Sequence, residues 1–173
     1  MTAWSRLLDI ADLPADGASV TLVADEAARV AVAQRLNIPA VHDLRGAIEA
    51  RAHADGADIS GRLTATLGRR CVASLDLINE EIDEPFSVAY RRAPEFARED
   101  EDFVFGDDDV ETLETDVVDL ADLLVQQTAL AMAAFPRKDG ATGLVEQYGD
   151  GGSISPFAVL QGKINERPEN KED

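Results

Sequence analysis

Apolar and polar residues alternate most regularly between Ile59 and Leu67. Ile59, Gly61, Leu63, Ala65 and Leu67 interleave with Ser60, Arg62, Thr64 and Thr66, the period of two that marks a strand with one buried face. Cys71, Ala73, Leu75 and Leu77 continue the alternation, which predicts more strand, with Gly68 as a bulge or bend. Beyond Asn79, the residues Phe86, Val88 and Tyr90 predict a further strand that closes on Arg91-Arg92. Upstream, Val20 to Val23 is a short strand candidate. Leu44 to His53 is open to two assignments. Its alanine content suits a helix, but its place before the Asp55-Gly56 turn signal suits the first arm of a hairpin.

Two segments carry the helical period instead. Ala28, Val32 and Leu36 recur every four residues behind a candidate N-cap, Asp25, with Glu26 in the first turn and with Asn37 and Pro39 ending the helix. Val117 to Ala134 predicts the longest helix, with Leu120, Leu123, Leu124, Gln127, Leu130, Ala131 and Ala134 on one face. Asp116 or Asp119 would cap it, and Pro136 would stop it. Consecutive strands with short connections argue for a meander rather than βαβ units. The predicted fold class is α+β: an antiparallel β-meander or partly closed barrel-like sheet, packed with two or three helices. No internal repeat is visible.

Charge changes this picture most. Between Glu95 and Asp122 lie thirteen Asp or Glu residues and one basic residue, Arg98, so this segment contributes −12 of the formal −18. Residues 95–115 therefore predict an exposed acidic loop, with Phe103-Val104-Phe105 as an apolar island. A dominant negative field opposes direct grip on a nucleic-acid backbone, which needs clustered Lys and Arg. Contact with nucleic acid would require a local basic patch or a basic protein partner. The 173 residues suffice for one domain with a sizeable core. With 45% hydrophobic but only 5% aromatic residues, that core must rest on Ala, Val, Leu and Ile. A single cysteine, Cys71, excludes an internal disulfide framework. Met1 to Arg6 leads into no apolar run of signal-peptide length, and no stretch approaches the roughly 20 apolar residues of a membrane span. The expectation is a cytoplasmic protein.

Candidate chemistry is sparse. His42 and His53 lie without zinc-ligand spacing, and Cys71 has no second cysteine. Asp107, Asp109 and Glu111 alternate, but Gly106 precedes them, contrary to the order of a calcium loop. No nucleophile elbow is present, and the alternation around Cys71 reads as a buried packing thiol. Gly149-Asp150-Gly151-Gly152-Ser153 lacks the lysine of a phosphate loop. Two surfaces remain as candidates. Phe103, Phe105, Asp107, Asp108 and Asp109 offer an acidic partner-binding segment with apolar anchors. Arg62, Arg69, Arg70, Arg91 and Arg92, with Arg137 and Lys138, would contact RNA if one face gathers them. Otherwise they are rim charges paired with residues such as Asp76, Glu80 or Glu84.

The order of segments carries a resemblance. Gly61-Arg62-Leu63-Thr64-Ala65 is followed by Arg70-Cys71-Val72-Ala73-Ser74-Leu75, then Ile82 to Tyr90, then the acidic stretch. Asp119-Leu120 opens a helix ending in Ala134-Phe135-Pro136-Arg137-Lys138, and Pro156-Phe157-Ala158-Val159-Leu160 follows. Over about residues 5 to 160, this resembles the bacterial YceD family, the large ribosomal RNA subunit accumulation proteins, and most its alphaproteobacterial branch. The resemblance implies a single domain over 1–160; the charged tail at 161–173 is expected to be disordered from its composition. It implies a non-catalytic role in accumulation or maturation of large-subunit ribosomal RNA, without a cofactor. The partner would be a ribosomal protein, an assembly factor or a pre-ribosomal particle. Direct RNA binding through an arginine-bearing sheet face is the alternative, and a metal-dependent enzyme a further one. Many members carry Cys-x-Arg-Cys. Here Arg70-Cys71 matches its second half, but Gly68 replaces the first cysteine.

Overall fold

The computed structural model describes residues 4–92 and 110–141. Its centre is a five-stranded sheet of β2 (Ala18–Val23), β3 (Ala40–His53), β4 (Gly56–Arg70), β5 (Leu77–Arg92) and β6 (Val110–Leu113), in that spatial order. The first four strands form the predicted antiparallel meander, and β6 lies parallel to β5. A small second sheet pairs β1 (Leu7–Asp9) with β7 (Val117–Asp119). The fold is α+β, with helices α1 (Glu26–Arg35) and α2 (Leu120–Ala131). Of the two predicted sheet forms, the open meander is present, with β2 and β6 at its edges among the described residues. No helix among them is long and apolar enough to cross a membrane.

The ambiguous Leu44–His53 run is a strand. Its even-numbered residues Leu44, Ile48 and Ala50 are buried beside Ile59, Leu63, Ala65 and Leu67 of β4. Gly56 follows the hairpin turn and has no room for a side chain, since a Cβ would lie 1.9 Å from the Tyr90 carbonyl oxygen. Gly46 likewise admits Leu124 of α2, whose Cδ1 would be 2.8 Å from an added Cβ. That close approach seats α2 on the sheet over a core of Leu44, Leu63, Leu120, Leu123 and Leu124. The irregularity expected at Gly68 lies instead on β3, between Val41 and Asp43, while Gly68 pairs with Ala40.

Several expected boundaries are corrected. Cys71 to Leu75 is not strand. The chain turns there so that Arg70 pairs with Leu77, with Cys71 N–H donating to the Asp76 carbonyl at 2.9 Å. Leu75 has φ of 63° and points into solvent, so its place in the alternation is coincidental. The long helix starts at Leu120 rather than Val117. Val117 and Val118 are β-branched and pair with β1, while the Asp119 carboxylate accepts the Ala121 and Asp122 N–H groups and so fixes the helix start. The helix ends at Ala131, before Pro136 can act, because Met132 is already extended. Leu130, expected on the buried face, is 74% exposed. The acidic loop is also shorter than expected, since Val110–Leu113 is a strand. The first helix is as predicted, with the Asp25 carboxylate accepting the Ala28 N–H at 2.8 Å.

Candidate functional site

The sheet separates the predicted arginines by face and by end. Counting along β4 and β5, Arg62, Arg70 and Arg91 stand on the outer face, while Arg69 and Arg92 share the parity of the buried residues. Leu77 and Arg92, the two ends of β5, are about 50 Å apart along the strand. The seven basic residues are therefore not gathered on one face.

Most are also neutralised. Arg62 pairs with Asp83 across the strands at 2.6 Å. The hydrogen bond and charge of Arg62 hold the Asp83 carboxyl below its ordinary value. Arg91 pairs with Asp58 at 2.7 Å and lies 3.6 Å from Asp55. Burial pushes the Asp58 carboxyl up, but hydrogen bonds from Arg91 and His53 outweigh it and leave it lowered. Arg92 binds Asp116 and donates to the Ala54 carbonyl at 3.1 Å, tying β5 to the stretch before β7. Arg69 and Glu80 pair at 2.6 Å with side chains only 12% and 14% exposed.

One group of basic residues does converge, at the β4–β5 turn. Arg69 donates to the Ala133 carbonyl at 3.0 Å, and Glu80 accepts the Ala133 N–H at 2.6 Å. Val72 N–H donates to Pro136 O at 2.9 Å, and Lys138 reaches Asp76 at 3.0 Å. These contacts bring the segment holding Arg137 and Lys138 beside Arg70, which donates to the Leu75 carbonyl. Val72, Leu75, Leu77 and Phe135 are all exposed at this end. Sequence reasoning missed their exposure. The only signal was an aromatic residue set between two alanines and Pro-Arg-Lys.

Cys71 organises the same turn. It is fully buried, as expected, but inside a turn rather than a strand. Its sulfur accepts the Lys138 N–H at 3.3 Å and the Ser74 N–H at 3.4 Å. The Ser74 hydroxyl and these amides hold the thiol down to about 6, against the opposing effect of burial. Such donors favour a thiolate. Cys71 thus fastens the chain after α2 to the sheet.

The acidic candidates Phe103, Phe105, Asp107, Asp108 and Asp109 lie outside the described residues. What is described nearby is Glu111, beside buried Tyr90, whose hydroxyl is pushed up first by burial and then by the Glu111 charge. Among the described residues, no three His, Cys, Asp or Glu side chains are grouped to hold a metal ion. No family model, curated protein or solved structure matches the chain.

Proposed function

We propose that this chain is a non-catalytic cytoplasmic factor that supports accumulation or maturation of large-subunit ribosomal RNA through protein or ribonucleoprotein partners. The observation that carries the reading is the charge arrangement. Arg62, Arg69, Arg91 and Arg92 are each matched by a carboxylate of the chain itself. Residues 95–122 hold thirteen acids and one arginine; Asp116 and Asp122 pair with Arg92 and Arg35 and Asp119 caps α2, and the remaining surplus of acids would meet a basic partner. A field of that sign attracts basic proteins, raising association rate and selectivity more than affinity. The order of sequence motifs supplies the ribosomal link. Affinity capture from cell lysate at low salt tests it. Enrichment of ribosomal proteins or assembly factors is expected, and their absence would sink the reading.

A second reading, direct RNA contact, is favoured by the turn that holds Arg70 near the Arg137–Lys138 segment, at an end of the sheet where Phe135 is exposed. An aromatic beside basic groups suits a single-stranded base and its phosphates. Alanine at Arg70, Arg137 and Lys138 should then weaken binding to a ribosomal RNA fragment and flatten its salt dependence. Unchanged affinity dismisses this reading.

A further inference from the structure

β5 has sixteen residues, but β6 pairs only with Ala89–Arg92. Leu77 to Val88 therefore bonds to β4 on one side and, among the described residues, to no strand on the other. Pro85 fixes which groups face that open side. The register with β4 is unbroken from Arg70↔Leu77 to Gly56↔Arg91, so the pairs alternate strictly between hydrogen-bonded and non-hydrogen-bonded. Proline has no N–H and is tolerated in a strand only where its nitrogen faces away from the ladder. Residues of the same parity, Leu77, Asn79, Glu81 and Asp83, then aim their N–H and C=O groups outward. They form a row about seven residues long, with Pro85 ending its donors.

The side chains along this row have one sign. Glu80, Glu81, Asp83 and Glu84 lie between Leu77 and Ala89, with no Lys or Arg among them. Arg69 and Arg62 of β4 neutralise Glu80 and Asp83, which leaves Glu81 and Glu84 without a basic partner among the described residues. On the face of the sheet that α2 covers, Gln127, Leu130 and Ala131 of α2 join Leu63, Glu84, Pro85 and Phe86 around a groove of about 290 Å³. Leu130 lies 74% exposed there and Leu77 65% exposed at the start of the strand. Acids and a proline on an edge suppress indiscriminate pairing. They do not explain two exposed leucines beside an unfilled row of backbone groups. One further strand would supply what these leucines lack.

We propose that the open edge of β5 is a strand-addition site for a basic, extended segment of a partner protein. Backbone groups of the segment pair with Leu77–Asp83. Its apolar residues meet Phe86 and Leu130 on the α2 face, and its Lys or Arg residues meet Glu81 and Asp83 on the outer face, at the roughly 5 Å spacing of cross-strand neighbours. Like charge argues against a second copy of this edge as the occupant. The inference rests on the partner-binding reading above but not on the partner's being ribosomal.

The test uses the full chain and a labelled nine-residue peptide of alternating Lys and Val, read by fluorescence anisotropy. Binding is expected, and a Glu-Val peptide should bind at least tenfold more weakly. N-methylation of alternate amides along one edge of the peptide should abolish binding, while methylation along the other edge should spare it. Glu81→Lys with Asp83→Asn, which also frees Arg62 on the outer face, should reverse the preference between the two peptides. Failure of the full chain to bind, equal binding of both methylated peptides, self-association through this edge, or displacement of the peptide by RNA would each overturn the proposal. Capture of ribosomal proteins that persists unchanged in the Glu81→Lys, Asp83→Asn variant would overturn the edge site while leaving the proposed function standing.

Discussion

Arg69→Ala separates a structural arginine from a surface one. Arg69 and Glu80 are 12% and 14% exposed and 2.6 Å apart. Both also hold Ala133, through a 3.0 Å bond to its carbonyl and a 2.6 Å bond from its N–H. Removing Arg69 leaves the Glu80 carboxylate nearly buried without its cation. Breaking a fully buried pair costs about 3–5 kcal/mol, and the remaining exposure reduces that to about 2–3 kcal/mol. The lost bond to Ala133 adds about 1 kcal/mol. The sum of about 3 kcal/mol corresponds to a fall in Tm of roughly 6–12 °C for a chain of this size. Urea unfolding of Arg69→Ala, Glu80→Ala and the double variant reads it directly. Each single variant should lose most of that stability, and the double variant little more than either. Arg62→Ala, whose pair with Asp83 is more than half exposed, should change little. Equal small losses for Arg69→Ala and Arg62→Ala, or additive losses in the cycle, would refute the buried-pair account.

Asp119→Ala removes the α2 cap and the 2.8 Å bond from the Arg6 N–H, and should cost about 1–2 kcal/mol in urea unfolding. Burial raises the Asp119 carboxyl, but bonds from Arg6, Ser5, Ala121 and Asp122 outweigh it and leave it lowered. Its contribution is therefore fully present above the unfolded value near ~4 and is lost as pH falls through the lower folded value. Asp119→Asn should show a shallower loss of stability than the parent below pH ~4. Gly46→Val should cost about 1–3 kcal/mol by thermal unfolding, because Leu124 has no free space to yield, and Leu124→Ala should restore part of it. The Cys71 thiolate, followed by its ultraviolet absorbance, should titrate near 6. Since this value lies below the unfolded ~8.5, its contribution is present above pH ~8.5 and lost as pH falls through 6. The stability difference between the parent and Cys71→Ala should therefore grow from pH 6 upward.

The meander was legible because one face of β4 is buried and the other is not. Ile59, Leu63, Ala65 and Leu67 gave the alternation that burial then produced. The Asp25 cap was legible for a local reason as well, since its carboxylate bonds only three residues ahead. Where the reading failed, a distant contact had overridden the local pattern. Val117–Asp119 is helix-compatible, yet β1, more than a hundred residues away in sequence, claims it as strand. Leu75 keeps the strand period but turns outward because Cys71 and Asp76 close the chain between them. The parallel pairing of β6 with Ala89–Arg92 of β5 joins residues distant in sequence, which no local pattern announces. Composition marks the arginines as one group. Their split into paired rim charges, a near-buried bridge and a basic turn depends on strand parity and partners that only the register sets. Leu130 and the edge of β5, unpaired among the described residues, were not legible because the helical period says which residues share a face, not how far the sheet covers that face.

The proposed role is tested most directly by depleting this protein in its native host and measuring large-subunit against small-subunit ribosomal RNA. A selective loss of the large-subunit species, restored by re-expression, is the predicted result. An unchanged ratio, or equal loss of both species, would contradict it.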